Sequence, residues 1–162
     1  MNRPLGSDPL PETALVLDHA SRDFLQRSLR LGGGVSQGKV VFAKEGSVVV
    51  LGLGDLNSLH VEIIERATSE ILGHSVLLDK DVDLPKVRTG VIVEGARFLI
   101  QGDKITVYGE SLAFGPFRST LFSEPSTEVV KRFIRSQIQS IREEEALQSL
   151  PDVLKLPPRP SM

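Results

Sequence analysis

The sequence predicts a single domain of α/β (α+β) class, with a central mixed β-sheet flanked by helices. Three observations carry this prediction. Between Lys39 and Tyr108 the chain breaks into short stretches rich in Val, Ile and Leu, of strand length and separated by glycine-containing turns. His60 to about Leu72 places Ile64, Ala67 and Ile71 at i, i+3, i+7, which gives a helix one apolar face. Ser126 to about Leu147 repeats helical spacing over a longer span. At 162 residues one domain with a substantial core is expected.

In chain order, residues 1–13 hold three prolines and two acids and read as a disordered arm. Ala14–Leu31 reads as an amphipathic helix with Leu17, Phe24, Leu25 and Leu29 near one face and Asp18 or Ser21 as its cap. Gly32-Gly33-Gly34 ends it, because three glycines cost a helix about 3 kcal/mol relative to alanine. The triplet lacks the Lys-Ser/Thr of a P-loop and is expected to be a flexible hinge. Lys39–Ala43 and Ser47–Leu53 are expected strands. The second is nearly continuous in apolar residues, so it should lie inside the sheet with both faces covered. Gly52 and Gly54 would let the chain leave it sharply.

Asn57 or Ser58 is the expected N-cap of the helix over residues 60–72, Gly73 its stop, and Glu62 with Arg66 an exposed i, i+4 pair. Ser75–Leu78 is a short strand. Asp79, Asp81 and Asp83 alternate as in a calcium loop, but Leu84 and Gly90 occupy the places of its glycine and glutamate, so a solvated loop is expected. Val91–Val93, Arg97–Gln101 and Lys104–Tyr108 read as strands, the last two joined by the turn Gly102-Asp103. Arg118–Phe122 is a short strand or helix entry. Pro125 precedes the long helix, whose stripe is Val129, Val130, Phe133, Ile134, Ile138, Ile141 and Leu147. Residues 149–162 form a proline-rich tail.

Composition narrows the function classes. The net charge of −2 and the lack of interleaved aromatic and basic residues argue against nucleic-acid binding. No cysteine is present, which excludes disulfides, thiol catalysis and Cys-based zinc sites. The longest apolar run, Val48–Leu53, is too short to span a bilayer. No secretory or transit character marks the first residues, and a cytoplasmic protein is expected. No His/acid cluster at ligand spacing occurs, so neither a metal nor another cofactor is expected.

The informative stretch is Lys104–Pro116, KITVYGESLAFGP. A strand ends at Gly109, and a loop with small residues at Ser111 and Ala113 runs to Gly115-Pro116, a composition that lets backbone amides turn inward on an anion. Tyr108, Gly109, Ser111, Ala113, Phe114, Gly115 and Pro116 fill all seven specified positions of Tyr-Gly-x-Ser-x-Ala-aromatic-Gly-Pro. That pattern resembles the signature of the Janus/Ocnus family, the small protein phosphohistidine phosphatases. His60-Val61-Glu62-Ile63-Ile64-Glu65-Arg66 is similar to the family's helix-opening block of histidine, small residue, acid, Ile, variable residue, acid and base. Glu94-Gly95-Ala96-Arg97 is similar to its glycine-rich run ending in arginine.

The three blocks span roughly residues 46–122 in the family's order. The resemblance implies the family fold with added terminal helices, and a metal-independent phosphatase acting on phosphohistidine, with phospholysine as a further substrate, in proteins. It implies His60 as base or nucleophile. Helix-start amides of Val61 and Glu62 would meet the phosphoryl group from one side. Amides of Ser111, Leu112 and Ala113, and the Ser111 hydroxyl, would meet it from the other, with Arg97 as a guanidinium clamp. A helix N-terminus disfavours imidazolium, so His60 is expected to be neutral.

The sequence also departs from the family. Only Gly54–Leu59 separates the apolar strand from His60, where the family has a longer basic and aromatic segment. The family's first-strand lysine falls near Val49, with Lys39, Lys44 and Arg88 as potential replacements. The second reading is therefore a non-catalytic interaction or assembly protein on the same core. Helix 126–147 or the proline-rich tail would be its partner surface.

Overall fold

The computed structural model describes residues 15–79 and 85–149. The expected arm 1–13, the aspartate loop 80–83 and the tail from 150 lie outside them. The elements are β1 (Leu15–Leu17), α1 (His19–Leu31), β2 (Val35–Glu45), β3 (Val48–Gly54) and α2 (His60–Leu72), then β4 (Leu77–Asp79), β5 (Lys86–Val87), β6 (Ile92–Gln101) and β7 (Lys104–Tyr108). They finish with β8 (Thr120–Leu121), β9 (Glu124–Pro125) and α3 (Ser126–Gln148). Five strands form a mixed sheet in the order β1-β3-β2-β6-β7, with β1 parallel to β3 and the remaining pairs antiparallel. The chain is one α+β domain.

Alternation along the strands divides the core in two. Val40 and Phe42 of β2, Val49, Leu51 and Leu53 of β3, and Phe98 and Ile100 of β6 pack with Leu25 of α1 and with Val129, Val130, Ile134, Ile138 and Ile141 of α3. Val41, Ala43 and Val93 point to the opposite face and pack with Ile63 and Ile64 of α2. Two terminal helices therefore cover one face and α2 the other. Arg22–Glu144 at 3.0 Å and Arg30–Glu145 at 2.8 Å link α1 to α3.

This placement decides the role of the long helix. Its apolar stripe is buried against the chain's own sheet, Phe133 being half-buried and only Leu147 of the stripe exposed. The exposed-stripe argument for a partner surface on residues 126–147 is lost. No helix among the described residues is long and apolar enough to cross a membrane.

Several local expectations are corrected. Residues 14–31 are not one helix. Leu15–Leu17 pairs with Val49–Leu51 as an edge strand, and the helix starts at His19. β-branched Val16 between two leucines suits a strand, and the sheet edge supplies hydrogen-bond partners that a helix turn would not need. Gly32–Gly34 forms a tight turn into β2, with the Val35 amide donating to the Gly32 carbonyl at 3.0 Å. Ile92, Val93 and Arg97–Gln101 belong to one strand that starts one residue after Val91, and the short strand after α2 begins at Leu77 rather than Ser75.

Arg66 does not pair with Glu62. Its Nε lies 2.9 Å from Asp18 Oδ2 and its guanidinium also donates to Ser21 Oγ and the Leu53 carbonyl. The wholly buried Asp18 carboxylate needs a cation more than the exposed Glu62 does. Gly52 and Gly54 serve close approach rather than a sharp exit. A Cβ on either would sit 2.6 or 2.8 Å from Ile63, so their absence of a side chain lets α2 lie directly on β3.

Candidate active site

The site forms where the N-terminus of α2 meets the middle of β2 and β6. Lys39 and Arg97 are register partners on those strands. By alternation with Val41 and Val93 they project on the face that α2 covers. Lys39, Leu59, His60, Val61, Arg97, Glu110, Ser111, Leu112 and Ala113 enclose an open cleft of about 330 Å³. A larger hollow of about 430 Å³ lies between the β6–β7 turn and α3, lined by residues such as Ile105, Ile138 and Arg142, and holds none of this chemistry.

His60 is the first residue of α2 and is 7% exposed. Its Nε2 lies 2.8 Å from the Ala96 carbonyl oxygen, which can only accept. Nε2 therefore carries the proton, and in the neutral ring Nδ1 keeps a lone pair. Burial is the main cause holding the His60 pKa below the ordinary value of 6.5; Lys39 and Arg97 add to it, while the Ala96 hydrogen bond opposes. The expected neutrality thus comes chiefly from desolvation and only then from charge.

Gly95 makes this placement fit. A Cβ there would lie 2.7 Å from His60 Cδ2 and 2.8 Å from Ser111 Cβ. The bare backbone of β6 is the floor on which the imidazole and the signature loop both rest. The loop is tied to the same residue: the Ser111 amide donates to the Gly95 carbonyl at 3.1 Å, and the Gly95 amide to the Gly115 carbonyl at 3.0 Å. Gly109 and Gly115 have φ of 74° and 79°, a conformation that favours glycine at both loop ends. Behind the loop, the buried Glu94 carboxylate accepts from the Arg118 and Ser119 amides at 3.0 and 3.1 Å and from the Ser119 hydroxyl at 2.5 Å.

The anion donors differ in part from those expected. The Ser111 amide is used by Gly95, and the Ala113 and Phe114 amides both donate to Ser111 Oγ at 3.2 Å. The loop is therefore held by its own serine rather than emptied toward a ligand. Of the three loop amides proposed from sequence, Leu112 alone has no protein acceptor among the described residues. Ser111 Oγ accepts twice and retains its own proton to donate.

On the other side of the cleft, the first intrahelical bond of α2 is Ile63 to Leu59 at 3.0 Å, so the amides of His60, Val61 and Glu62 are left over as in any helix start. Val61 lines the cleft. Glu62 does not, and its carboxylate accepts from the Leu59 amide at 3.1 Å. Leu59, not Asn57 or Ser58, is the N-cap position; the latter two turn back on Asp55 Oδ1.

Lys39 is the site residue that sequence reading left unresolved. Of Lys39, Lys44 and Arg88, Lys39 on β2 lines the cleft. The signal was its alternation with Val41 along β2, two residues away. Among the described residues the side chains of Lys39 and Arg97 have no hydrogen bond or ion pair. Two cations without a side-chain partner among the described residues, the helix-start amides, the His60 imidazole and the Glu110 carboxyl thus share one cleft.

The other histidines lie outside it, His19 against Glu70 at 2.9 Å and His74 against Glu45 at 3.2 Å. Among the described residues no three His, Cys, Asp or Glu side chains converge as a metal site. No protein-family model, curated protein or solved structure matches the chain.

Proposed function

We propose that this chain is a metal-independent phosphatase that hydrolyses phosphohistidine on proteins, with phospholysine as the second candidate substrate. The observation that carries the reading is the cleft itself. A buried imidazole with a free Nδ1 lone pair shares one anion-sized space with Lys39, Arg97 and the first amides of α2. The Janus/Ocnus-like blocks at 60–66, 94–97 and 108–116 meet at this cleft and lend it their chemistry.

The phosphoryl oxygens would lie against the Val61 and Leu112 amides, the Ser111 hydroxyl, Lys39 and Arg97, which stabilise the charge spread over them during transfer. The Nδ1 lone pair of His60 then either attacks phosphorus or takes a proton from a water that attacks. In both routes the substrate P–N bond breaks, its electron pair passes to the leaving nitrogen, and that nitrogen takes a proton from water or from the protonated His60. Where Nδ1 attacks, water then cleaves the phospho-His60 bond and releases phosphate. The Ala96 carbonyl holds the ring tautomer that keeps Nδ1 available.

A panel of substrates tests the bond class. The protein, treated with chelator, should release phosphate from phosphohistidine or phospholysine peptides and leave phosphoserine and phosphotyrosine peptides intact. Cleavage of the esters alone, or of none, would refute the reading. A non-catalytic assembly role would take its place in the second case.

A further inference from the structure

We infer that the substrate is a phosphorylated side chain within a polypeptide segment that carries an apolar residue beside it, an inference that rests on the phosphatase reading above. The cleft holds the cations Lys39 and Arg97, and its exposed lining adds the acid Glu110 and two leucines. Leu112 is 94% exposed at the tip of the signature loop and Leu59 is 57% exposed at the N-cap of α2, and both line the same cleft. One is on the loop and the other at the helix start.

Each is an unfavourable residue for its local structure. An N-cap gains from Ser, Thr, Asp or Asn, whose side chain would hold one of the free amides, and Leu59 makes no such bond. Leu112 leaves nearly its whole side chain in water, on a loop whose conformation rests on Ser111, Gly109 and Gly115 rather than on it. Inorganic phosphate or a small phosphorylated metabolite would satisfy Lys39, Arg97 and the amides while leaving both leucines wet. A peptide whose phosphorylated residue enters the cleft lays its neighbouring side chains across the rim. An apolar neighbour covers the leucines and an acidic one does not. The cations fix the phosphoryl group, and the leucines select its sequence surroundings.

The test uses one peptide sequence with phosphohistidine flanked by Leu, Ala or Asp, and phosphoramidate as the small substrate. The Leu-flanked peptide should exceed the Asp-flanked one in kcat/KM by about tenfold, through KM, as partial burial of leucine surface implies. That ratio should shrink to within about twofold in the Leu59→Ala/Leu112→Ala double variant. Equal kcat/KM for the Leu and Asp peptides, or a preference that survives the double variant, would overturn the inference while leaving the phosphatase intact. Absence of His60-dependent turnover of phosphoramidate and of every peptide would overturn the phosphatase reading and this inference with it.

Discussion

Gly95→Ala is the sharpest probe of how the fold makes the site. The position does not have a positive φ, so alanine is conformationally acceptable there. On the unfolded chain alone, the substitution should stabilise by about 0.4–1 kcal/mol. The native state opposes this. The new Cβ would stand 2.7 Å from His60 Cδ2 and 2.8 Å from Ser111 Cβ. Restoring ordinary carbon contact requires the imidazole to move by roughly 0.7 Å or more. Overpacking of this kind costs about 1–3 kcal/mol, which outweighs the gain.

The net loss should be about 1–2 kcal/mol, or about 2–8 °C in Tm for a domain of this size. Catalysis should suffer more than folding, because displacement of a reacting group by about 1 Å can cost about 100-fold. Urea denaturation and turnover of a phosphohistidine peptide measure the two effects separately. A variant with raised Tm and unchanged kcat would refute the close approach of His60 and Ser111 to β6.

Further outcomes follow from the same geometry. Because His60 titrates below its ordinary value, kcat/KM should be level through neutral pH and fall only on the acid side of 6.5. Lys39→Ala removes a charge that lowers this pKa, so the acid limb should move toward higher pH. The same shift links to stability. The unfolded chain binds this proton more readily, so the contribution is full above about pH 6.5 and is lost as pH falls toward the folded-state pKa. Loss of that slope in His60→Ala, measured by urea titration at pH 5 to 8, checks the sign. Arg97→Ala should weaken inhibition by inorganic phosphate by about tenfold or more, as loss of a charge-assisted contact implies, with little change in Tm. Arg66→Ala strips the partner from buried Asp18 and should cost about 3 kcal/mol, whereas Arg30→Ala, at an exposed pair, should cost less than about 1 kcal/mol.

The fold was legible where periodicity was strong. His60–Leu72 has the expected bounds, and the helix from Ser126 runs only one residue beyond the expected end. The β6–β7 hairpin was signalled by Gly102-Asp103. Leu15–Leu17 was not legible, because three apolar residues abutting a helical stripe extend that stripe equally well. Only the edge of β3 decides for a strand.

At the site, His60, Arg97 and the glycine-bounded loop were picked out by the family resemblance, and their convergence on one cleft needed the sheet register. Local pattern cannot report which amides are already taken. The glycine-bounded loop resembles an open nest, yet its serine accepts two of its own N–H groups. Which of Lys39, Lys44 and Arg88 would reach the cleft was left open, and the pairing of Lys39 on β2 with Arg97 on β6 puts Lys39 there.

The most direct measurement is release of phosphate from a phosphohistidine peptide by the chelator-treated wild type and His60→Ala, with folding of both checked by circular dichroism. Turnover in the wild type and its loss in the folded variant is the expected result. Equal turnover in both would contradict a reacting His60.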